Sequence, residues 1–127
     1  DKQYRIFLPD FNNMEIEMGP LPKTVFIFLL NHPEGVMFKN LRPHLYELVE
    51  IYTKVGNRLD MMQIKQSIKE LTDPRSNSIN EKCSRIKEAF VSKMDDSIAK
   101  HYYVTGDRSN PKGIQLDRSL VHFPETK

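Results

Sequence analysis

Residues 78–90 read SINEKCSRIKEAF, and their spacing predicts an amphipathic helix. Ser78 and Glu81 have the separation of a capping box, in which each side chain satisfies a free backbone amide at a helix start. Four apolar side chains then recur at helical spacing and line one edge: Ile79, Cys83, Ile86 and Phe90. We therefore expect a helix over 78–94 that docks by one edge and presents polar side chains to water.

The other side of this helix carries groups that donate and accept hydrogen bonds. Its side chains, with two flanking lysines, are Glu81, Ser84, Arg85, Glu88, Ser92, Lys82 and Lys87. Arg85 and Lys87 can reach base edges or phosphates, Ser84 can bond to either, and Glu88 can accept from a cytosine amino group. Periodicity alone favours the commoner outcome, which is a solvated face of alternating charge.

A β-hairpin is predicted after this helix. Tyr102–Thr105 and Ile114–Leu116 are rich in β-forming residues, and a loop over 106–113 separates them. The loop carries Arg108 and Lys112, which can contact a phosphate backbone or a minor groove. Taken alone, the loop is an ordinary surface turn. A presented helix followed by a hairpin suggests a protein that binds nucleic acid.

The residues before position 78 predict another hairpin and three helices. The hairpin has strands at Tyr4–Leu8 and Met14–Met18, and a buried helix then runs from about Pro22 to Leu30 and ends at the Asn31–Gly35 turn. A short turn at Phe38–Leu41 precedes a second helix, from Pro43 to Gly56. The third helix covers Met61–Leu71; it is capped by Asp60 and stopped by Asp73-Pro74. Asp95-Asp96 can cap a further short turn. This order predicts a small α+β domain with a hairpin at each end.

The chain has 127 residues, which fits a single domain. We predict an N-terminal hairpin over 1–19, a helical core over 20–100, a hairpin over 101–123 and a tail over 124–127. The first residue is Asp1 and not Met, so we expect the chain to be a fragment of a longer protein.

The composition is that of an ordinary globular protein, with 39% hydrophobic and 28% charged residues and a net charge of +2. The longest apolar run, Val25–Leu30, is far too short to span a membrane. A single cysteine permits no internal disulfide, which is typical of a reducing compartment, and we expect a cytoplasmic location. Residues 57–127 carry thirteen basic against ten acidic side chains, a bias in the direction that a nucleic-acid surface needs.

No arrangement of residues predicts catalysis. The histidines at 32, 44, 101 and 122 are far apart in the sequence and lack HExxH spacing or a CxxC partner, so a metal site would be a coincidence. There is no glycine-rich phosphate loop and no marked nucleophile. The carboxylate pairs Glu15/Glu17 and Asp95/Asp96 are better interpreted as a strand face and a helix cap. We expect no enzymatic activity, no cofactor and no metal.

Taken together, these patterns resemble the winged-helix effector domain of OmpR-like response-regulator transcription factors. Leu21–Gly35 is similar to the family's first helix and its His-Pro-Gly turn, and Phe38–Leu41 stands where the second helix begins. Cys83–Lys87 is similar to the family's recognition-helix run, and Tyr103–Gly106 and Gly113–Leu116 look like the two wing strands. The N-terminal hairpin matches the small sheet that distinguishes this class.

Three features depart from the family's pattern. Glu88-Ala89 stands where the family usually keeps basic residues. The wing loop is longer than usual. A helical segment over about 59–71 occupies the place of a loop that can contact RNA polymerase in the family.

The resemblance implies a winged helix-turn-helix with three or four helices, and hence the DNA-binding domain of a transcriptional regulator. The helix over 78–94 would lie in the major groove, and the loop over 106–113 on the backbone or in the minor groove. The implied DNA-binding residues are Lys82, Ser84, Arg85, Lys87, Glu88, Arg108 and Lys112. Double-stranded DNA would be the partner; RNA polymerase or another protein could contact 59–71, and a homodimer is compatible with the pattern. The alternative is a winged-helix module that docks onto proteins and does not bind DNA.

Overall fold

A computed structural model describes residues 5–56, 60–105 and 113–114 of the chain, and over these ranges the fold is mixed α+β. The helices are α1 (Pro20–Leu30), α2 (Leu45–Val55), α3 (Met61–Leu71), α4 (Ser78–Val91) and α5 (Asp96–Ala99), and the strands are β1 (Ile6–Leu8), β2 (Met14–Ile16), β3 (Val104–Thr105) and β4 (Gly113–Ile114). Strands β1 and β2 pair antiparallel, as do β3 and β4. Within the described ranges, no helix is long and apolar enough to cross a lipid bilayer.

The predicted N-terminal hairpin is confirmed. Its register places Ile6 opposite Ile16, and both side chains are buried in the core. A 3₁₀ turn over Pro9–Phe11 connects the strands, followed by Asn12 and Asn13 with φ angles of 61° and 56°. Asparagine tolerates this left-handed region better than most residues, because its short side chain can bond to the local backbone.

Helix α1 is the centre of the domain, as its apolar sequence predicts. It begins at Pro20, whose missing N–H would be unsatisfied at a helix start in any case. Seven consecutive residues, Thr24–Leu30, are buried, so the last two turns are covered on every side. Thr24 is the polar member of this run, and its hydroxyl donates to the Pro20 carbonyl at 2.9 Å.

The middle of the chain also follows the predicted pattern. Two 3₁₀ turns, Phe38–Asn40 and Arg42–His44, precede α2, which ends before Gly56. Asp60 caps α3 as predicted: the Gln63 N–H donates to Asp60 Oδ1 at 2.8 Å, and the Asp60 N–H donates to Gln63 Oε1 at 3.4 Å. Helix α4 packs mainly on α1, whereas α3 packs mainly on α2.

The predicted capping box at the start of α4 is wrong. Asn77 is the N-cap residue, and Ser78 is already helical and only 7% exposed. The backbone N–H of Ser78 donates to the Ser76 hydroxyl at 3.0 Å, so the preceding turn satisfies this amide. The helix also ends at Val91, three residues earlier than predicted.

Four aromatic rings in contact link α1 and α4 to the N-terminal turn and to the turn after α5. The Phe26 and Phe90 ring centroids lie 5.4 Å apart, and Phe90 stacks on Tyr102 at 5.2 Å with an interplanar angle of 16°. Tyr102 also contacts Phe11 in the N-terminal turn, edge to face at 6.2 Å. We call these four rings the aromatic chain. Offset and edge-to-face contacts of this kind add to the free energy of burial.

The second hairpin begins later than predicted. Tyr102 lies in the turn after α5, where its N–H donates to the Ala99 carbonyl at 2.8 Å, and only Val104 and Thr105 pair with β4. Burial of the Tyr102 ring against Phe90 holds it in this turn and not in the strand. The predicted loop over 106–113 falls almost wholly outside the described residues.

We predict that Phe90→Ala destabilises the domain far more than Val91→Ala. Phe90 is fully buried and contacts two rings of the aromatic chain, and loss of such a side chain typically costs about 3–5 kcal/mol in unfolding free energy. Val91 follows it in the same helix and is 38% exposed, so its truncation should cost at most about 0.5 kcal/mol. Urea denaturation followed by circular dichroism measures both; equal losses would show that the aromatic chain does not support the fold.

A bidentate ion pair between Arg5 and Glu15 links the two sides of the first hairpin. Arg5 Nε and Nη2 each donate to a Glu15 carboxylate oxygen at 2.9 Å. The hydrogen bond from Arg5 lowers the pKa of Glu15 below its ordinary value of 4.5; burial opposes this lowering, and the charges of Arg5, Lys23 and Lys93 add to it. The pair therefore stabilises the fold above about pH 4.5, and the stabilisation is lost as the pH falls through the folded-state pKa.

Glu15→Gln should accordingly lower the melting temperature at pH 7, and this deficit should shrink as the pH falls through the folded-state pKa of Glu15, where the wild-type carboxyl becomes protonated as well. Glu17→Gln is the matched control, because Glu17 is exposed and has no ion pair among the described residues. A melting-temperature deficit of Glu15→Gln that stays constant as the pH is lowered from 7 would contradict this account.

Candidate functional site

Helix α4 presents the candidate interface, because its apolar edge is fixed in the core. Ile86 and Phe90 are fully buried, and Ile79 is 6% exposed. The opposite side of the helix is accessible. We define the α4 face as the five residues that the sequence singled out on this helix: Ser84, Arg85, Lys87 and Glu88, which are exposed, and Lys82, which is partly buried.

Arg85 is the basic side chain of this face that is available to a ligand. Among the residues that the structure describes, its guanidinium has no hydrogen-bond or ion-pair partner. Arg85 and Glu88 both line two open clefts beside α4, one of about 410 Å³ and one of about 370 Å³. A free cation and a carboxylate one helical turn apart offer a donor next to an acceptor, which suits the mixed pattern of a base-pair edge.

The two clefts differ in their chemistry. The larger lies between α4 and the segment from Glu17 to Pro22, which joins the first hairpin to α1. The smaller is lined by Asn77 and Asn80, together with residues of the α4 face, and Asn80 Nδ2 donates to Asn77 Oδ1 at 3.1 Å. Sequence analysis did not single out these asparagines, although their spacing of three places them together at a helix start.

The two lysines of the α4 face already have contacts. Lys82 Nζ lies 3.3 Å from Glu81 Oε1, and its side chain is only 21% exposed. Lys87 Nζ lies 5.3 Å from the centroid of the Tyr103 ring, a cation–π distance. The Tyr103 hydroxyl donates to Asp96 Oδ1 at 2.7 Å, and this hydrogen bond raises the pKa of Tyr103. Lys87 is thus oriented over a ring that is itself anchored to α5.

The structure does not place the other two predicted DNA-binding residues. Arg108 and Lys112 lie outside the described ranges, so their prediction stays untested. The pairing of Thr105 with Gly113 brackets the segment that contains them. Their position relative to the α4 face is therefore an expectation from the sequence.

A second group of chemically active side chains lies at the end of α1. His32 Nε2 is 2.9 Å from Glu47 Oε1, His32 Nδ1 is 3.2 Å from Glu34 Oε2, and His44 Nδ1 is 3.8 Å from Glu47 Oε1. Burial lowers the pKa of His32, but its hydrogen bonds to Glu47 and Glu34 raise it by more, so that the net pKa lies above the ordinary value of 6.5. We call these four residues the histidine cluster.

The sequence pattern does not predict this cluster, because its two histidines are twelve residues apart in the chain. The turn after α1 and the 3₁₀ segments bring His32 and His44 to a ring-centroid distance of 5.1 Å. One local signal existed: His44 and Glu47 are three residues apart at the start of a helix, which places them on one side of it. His32 joins this pair through its contact with Glu47, which is too far along the chain for local spacing to predict.

Comparison of the chain with protein-family models, with curated proteins and with solved structures finds no match. The function is therefore inferred from the chemistry of its own surfaces. Two groups of described residues have the required side chains, namely the α4 face and the histidine cluster. The first offers donors and acceptors to a large partner, and the second offers ligand atoms to an ion.

Proposed function

We propose that this chain is a sequence-specific DNA-binding domain of a transcriptional regulator, built as an OmpR-like winged helix, with α4 as the recognition helix. One observation carries the proposal: α4 is held by a buried edge, exposes on the other side an Arg85 that has no partner among the described residues, and precedes the antiparallel pair of β3 and β4. A helix about 10–12 Å in diameter fits the major groove of B-DNA, which is about 12 Å wide.

The order of elements supports the winged-helix assignment. Helix α1 is followed by the His32–Gly35 turn, an isolated β-bridge at Val36, α2, and then α4 and the second hairpin. The additional helix α3 packs mainly on α2, so it can be accommodated without disturbing the packing of α4 on α1. In this position α3 is also the surface that we assign to RNA polymerase or another protein. Such a domain would act in the cytoplasm, as a monomer or a homodimer.

Each residue of the α4 face has a distinct role in this proposal. Arg85 would donate two hydrogen bonds to a guanine, because its exposed guanidinium has no partner within the described ranges and has the bidentate geometry that a guanine edge needs. Glu88 would accept from the amino group of a nearby cytosine, and Ser84 would bond to a base edge or a phosphate. Lys82 and Lys87 would contact phosphates. Arg108 and Lys112, in the segment between β3 and β4, would contact the backbone or the minor groove.

The acidic residues on α4 determine what kind of binding we expect. Glu81 and Glu88 lie beside Lys82, Arg85 and Lys87, so the helix surface has three basic and two acidic groups. Non-specific affinity for DNA comes almost entirely from neutralised phosphates, and this surface neutralises few of them. Binding should therefore depend on the correct base sequence, with weak retention of unrelated DNA.

The test is selection of duplex DNA from a random pool at low salt, followed by affinity measurements on the selected site. Arg85→Ala should cost about 1–3 kcal/mol and relax the preference at one base pair, because it removes a base contact. Lys87→Ala should weaken binding to all sequences and reduce the slope of log K against log salt by about 1. Lys65→Ala, an exposed lysine on α3, is the matched control and should bind as the wild type does.

Two results would contradict the proposal. One is failure to enrich any sequence from the pool. The other is a selected site that the Arg85→Ala, Lys87→Ala double variant binds with wild-type affinity, since α4 would then not be the recognition helix.

A second candidate function is a protein-docking winged helix without DNA binding. It is favoured by the start of α3, where Met61 is 47% and Met62 is 82% exposed, because exposed flexible methionines are common on protein-binding surfaces. The two functions are distinguished by one comparison. A docking module shows no retardation of any DNA at low salt, and it captures a partner protein that Met62→Ser releases.

A further inference from the structure

The histidine cluster has the composition and spacing of a metal site. His32, His44 and Glu47 each contribute one ligand atom, and these atoms all lie within 4.8 Å of one another. His32 Nε2 lies 2.9 Å and His44 Nδ1 lies 3.8 Å from Glu47 Oε1. In a tetrahedral zinc site with bonds of 2.0–2.1 Å, neighbouring ligand atoms are about 3.4 Å apart. The two separations from Glu47 lie on either side of that value, and the two histidine ligand atoms are at most 4.8 Å apart, so side-chain rotations can bring all three around an ion.

Buried structure holds both imidazoles in position. The Phe28 ring is 1% exposed, and its centroid lies 4.6 Å from that of His32 and 5.2 Å from that of His44. The backbone of each histidine is also held by a hydrogen bond. The His32 N–H donates to the Leu29 carbonyl at 3.1 Å, and the His44 N–H donates to the Leu41 carbonyl at 2.8 Å. Such preorganisation reduces the entropy that an ion must overcome on binding.

Glu34 acts on the other nitrogen of His32. Its Oε2 lies 3.2 Å from Nδ1, the distance of a hydrogen bond in which the ring donates to the carboxylate. Without an ion, the Nε2 N–H donates to the Glu47 carboxylate at 2.9 Å. An ion that replaces this proton meets the Nε2 lone pair, while the bond to Glu34 keeps the other proton on Nδ1. A carboxylate on the distal nitrogen is the usual partner of a metal-bound histidine, where it orients the ring and increases its basicity.

We infer that His32 Nε2, His44 Nδ1 and a Glu47 carboxylate oxygen bind one divalent transition-metal ion, with Glu34 as the positioning residue. Two imidazoles and one carboxylate suit zinc and its neighbours, whereas calcium and magnesium prefer sites made wholly of oxygen. The side chains of His32, His44 and Glu47 are 18%, 30% and 37% exposed, which leaves a path for the ion and a fourth position for water.

The site joins the end of α1 to the beginning of α2. His32 lies in the turn after α1, His44 immediately precedes α2, and Glu47 is in the first turn of α2. An ion bound to all three therefore stabilises the folded state relative to the unfolded chain, by mass action. None of the three belongs to the α4 face, so the inference does not depend on DNA binding.

The experiment is calorimetric titration of the metal-free chain with Zn²⁺, paired with thermal denaturation at each metal concentration. Wild type should bind one Zn²⁺ per chain and melt at a higher temperature when it is bound. His32→Ala, His44→Ala and Glu47→Gln should each lose this site and the shift in melting temperature. Glu34→Gln keeps all three ligands and should weaken binding by about 10–100-fold. His101→Ala is the matched control, since His101 is exposed and outside the cluster, and it should bind as wild type does.

Circular dichroism without metal checks that each variant folds. Resonance and absorption measurements on the wild type then test the site without relying on any variant. Zn²⁺ should shift the ring ¹⁵N resonances of His32 and His44, with the change at Nε2 of His32 and Nδ1 of His44. Co²⁺ should give the strong visible absorption of a four-coordinate ion. The inference is overturned if wild type binds no Zn²⁺ in the micromolar range, if the ligand variants bind it with wild-type affinity, or if Zn²⁺ shifts His101 and leaves His32 and His44 unchanged.

Discussion

The packing of Phe90 against Phe26 and Tyr102 is the constraint on which the rest of the domain depends. It fixes the rotation of α4 about its own axis, because a fully buried ring in contact with two others cannot turn away from the core. Arg85 is five residues before Phe90, which is about 140° around the helix, whereas Ile86 is only about 40° away. Burial of Phe90 therefore accounts both for the core position of Ile86 and for the exposure of Arg85.

The same ring links the α4 face to the second hairpin. Tyr102 stacks on Phe90, and the next residue, Tyr103, lies under Lys87 and donates to Asp96. Because these two tyrosines immediately precede β3, the strand starts from a point that is fixed relative to α4. A DNA-binding winged helix needs such a connection, since its helix and its wing must contact one duplex at the same time.

The parts of the fold that the sequence predicts are those governed by local spacing. The first hairpin, the buried α1 and the Asp60 cap of α3 each depend on residues close together in the chain, and each is confirmed. The predictions fail where a neighbouring group makes the hydrogen bond that the sequence pattern assigns to another residue. Ser78 has the spacing of a cap, but the Ser76 hydroxyl already binds its amide. In the histidine cluster only the pair of His44 and Glu47 has a local signal, because the approach of His32 to Glu47 requires the path of the chain between α1 and α2.

Helix α1 separates the two surfaces that carry chemistry. Phe26 contacts Phe90 of α4, whereas Phe28 packs against the imidazoles of the histidine cluster. Residues two apart on a helix point about 200° away from each other, so the surfaces lie on opposite sides of α1. An ion at one of them cannot touch a ligand at the other. Since both surfaces rest on the same buried helix, any influence between them must pass through the stability of α1, and it would act on the fraction of folded protein and not on the geometry of the α4 face.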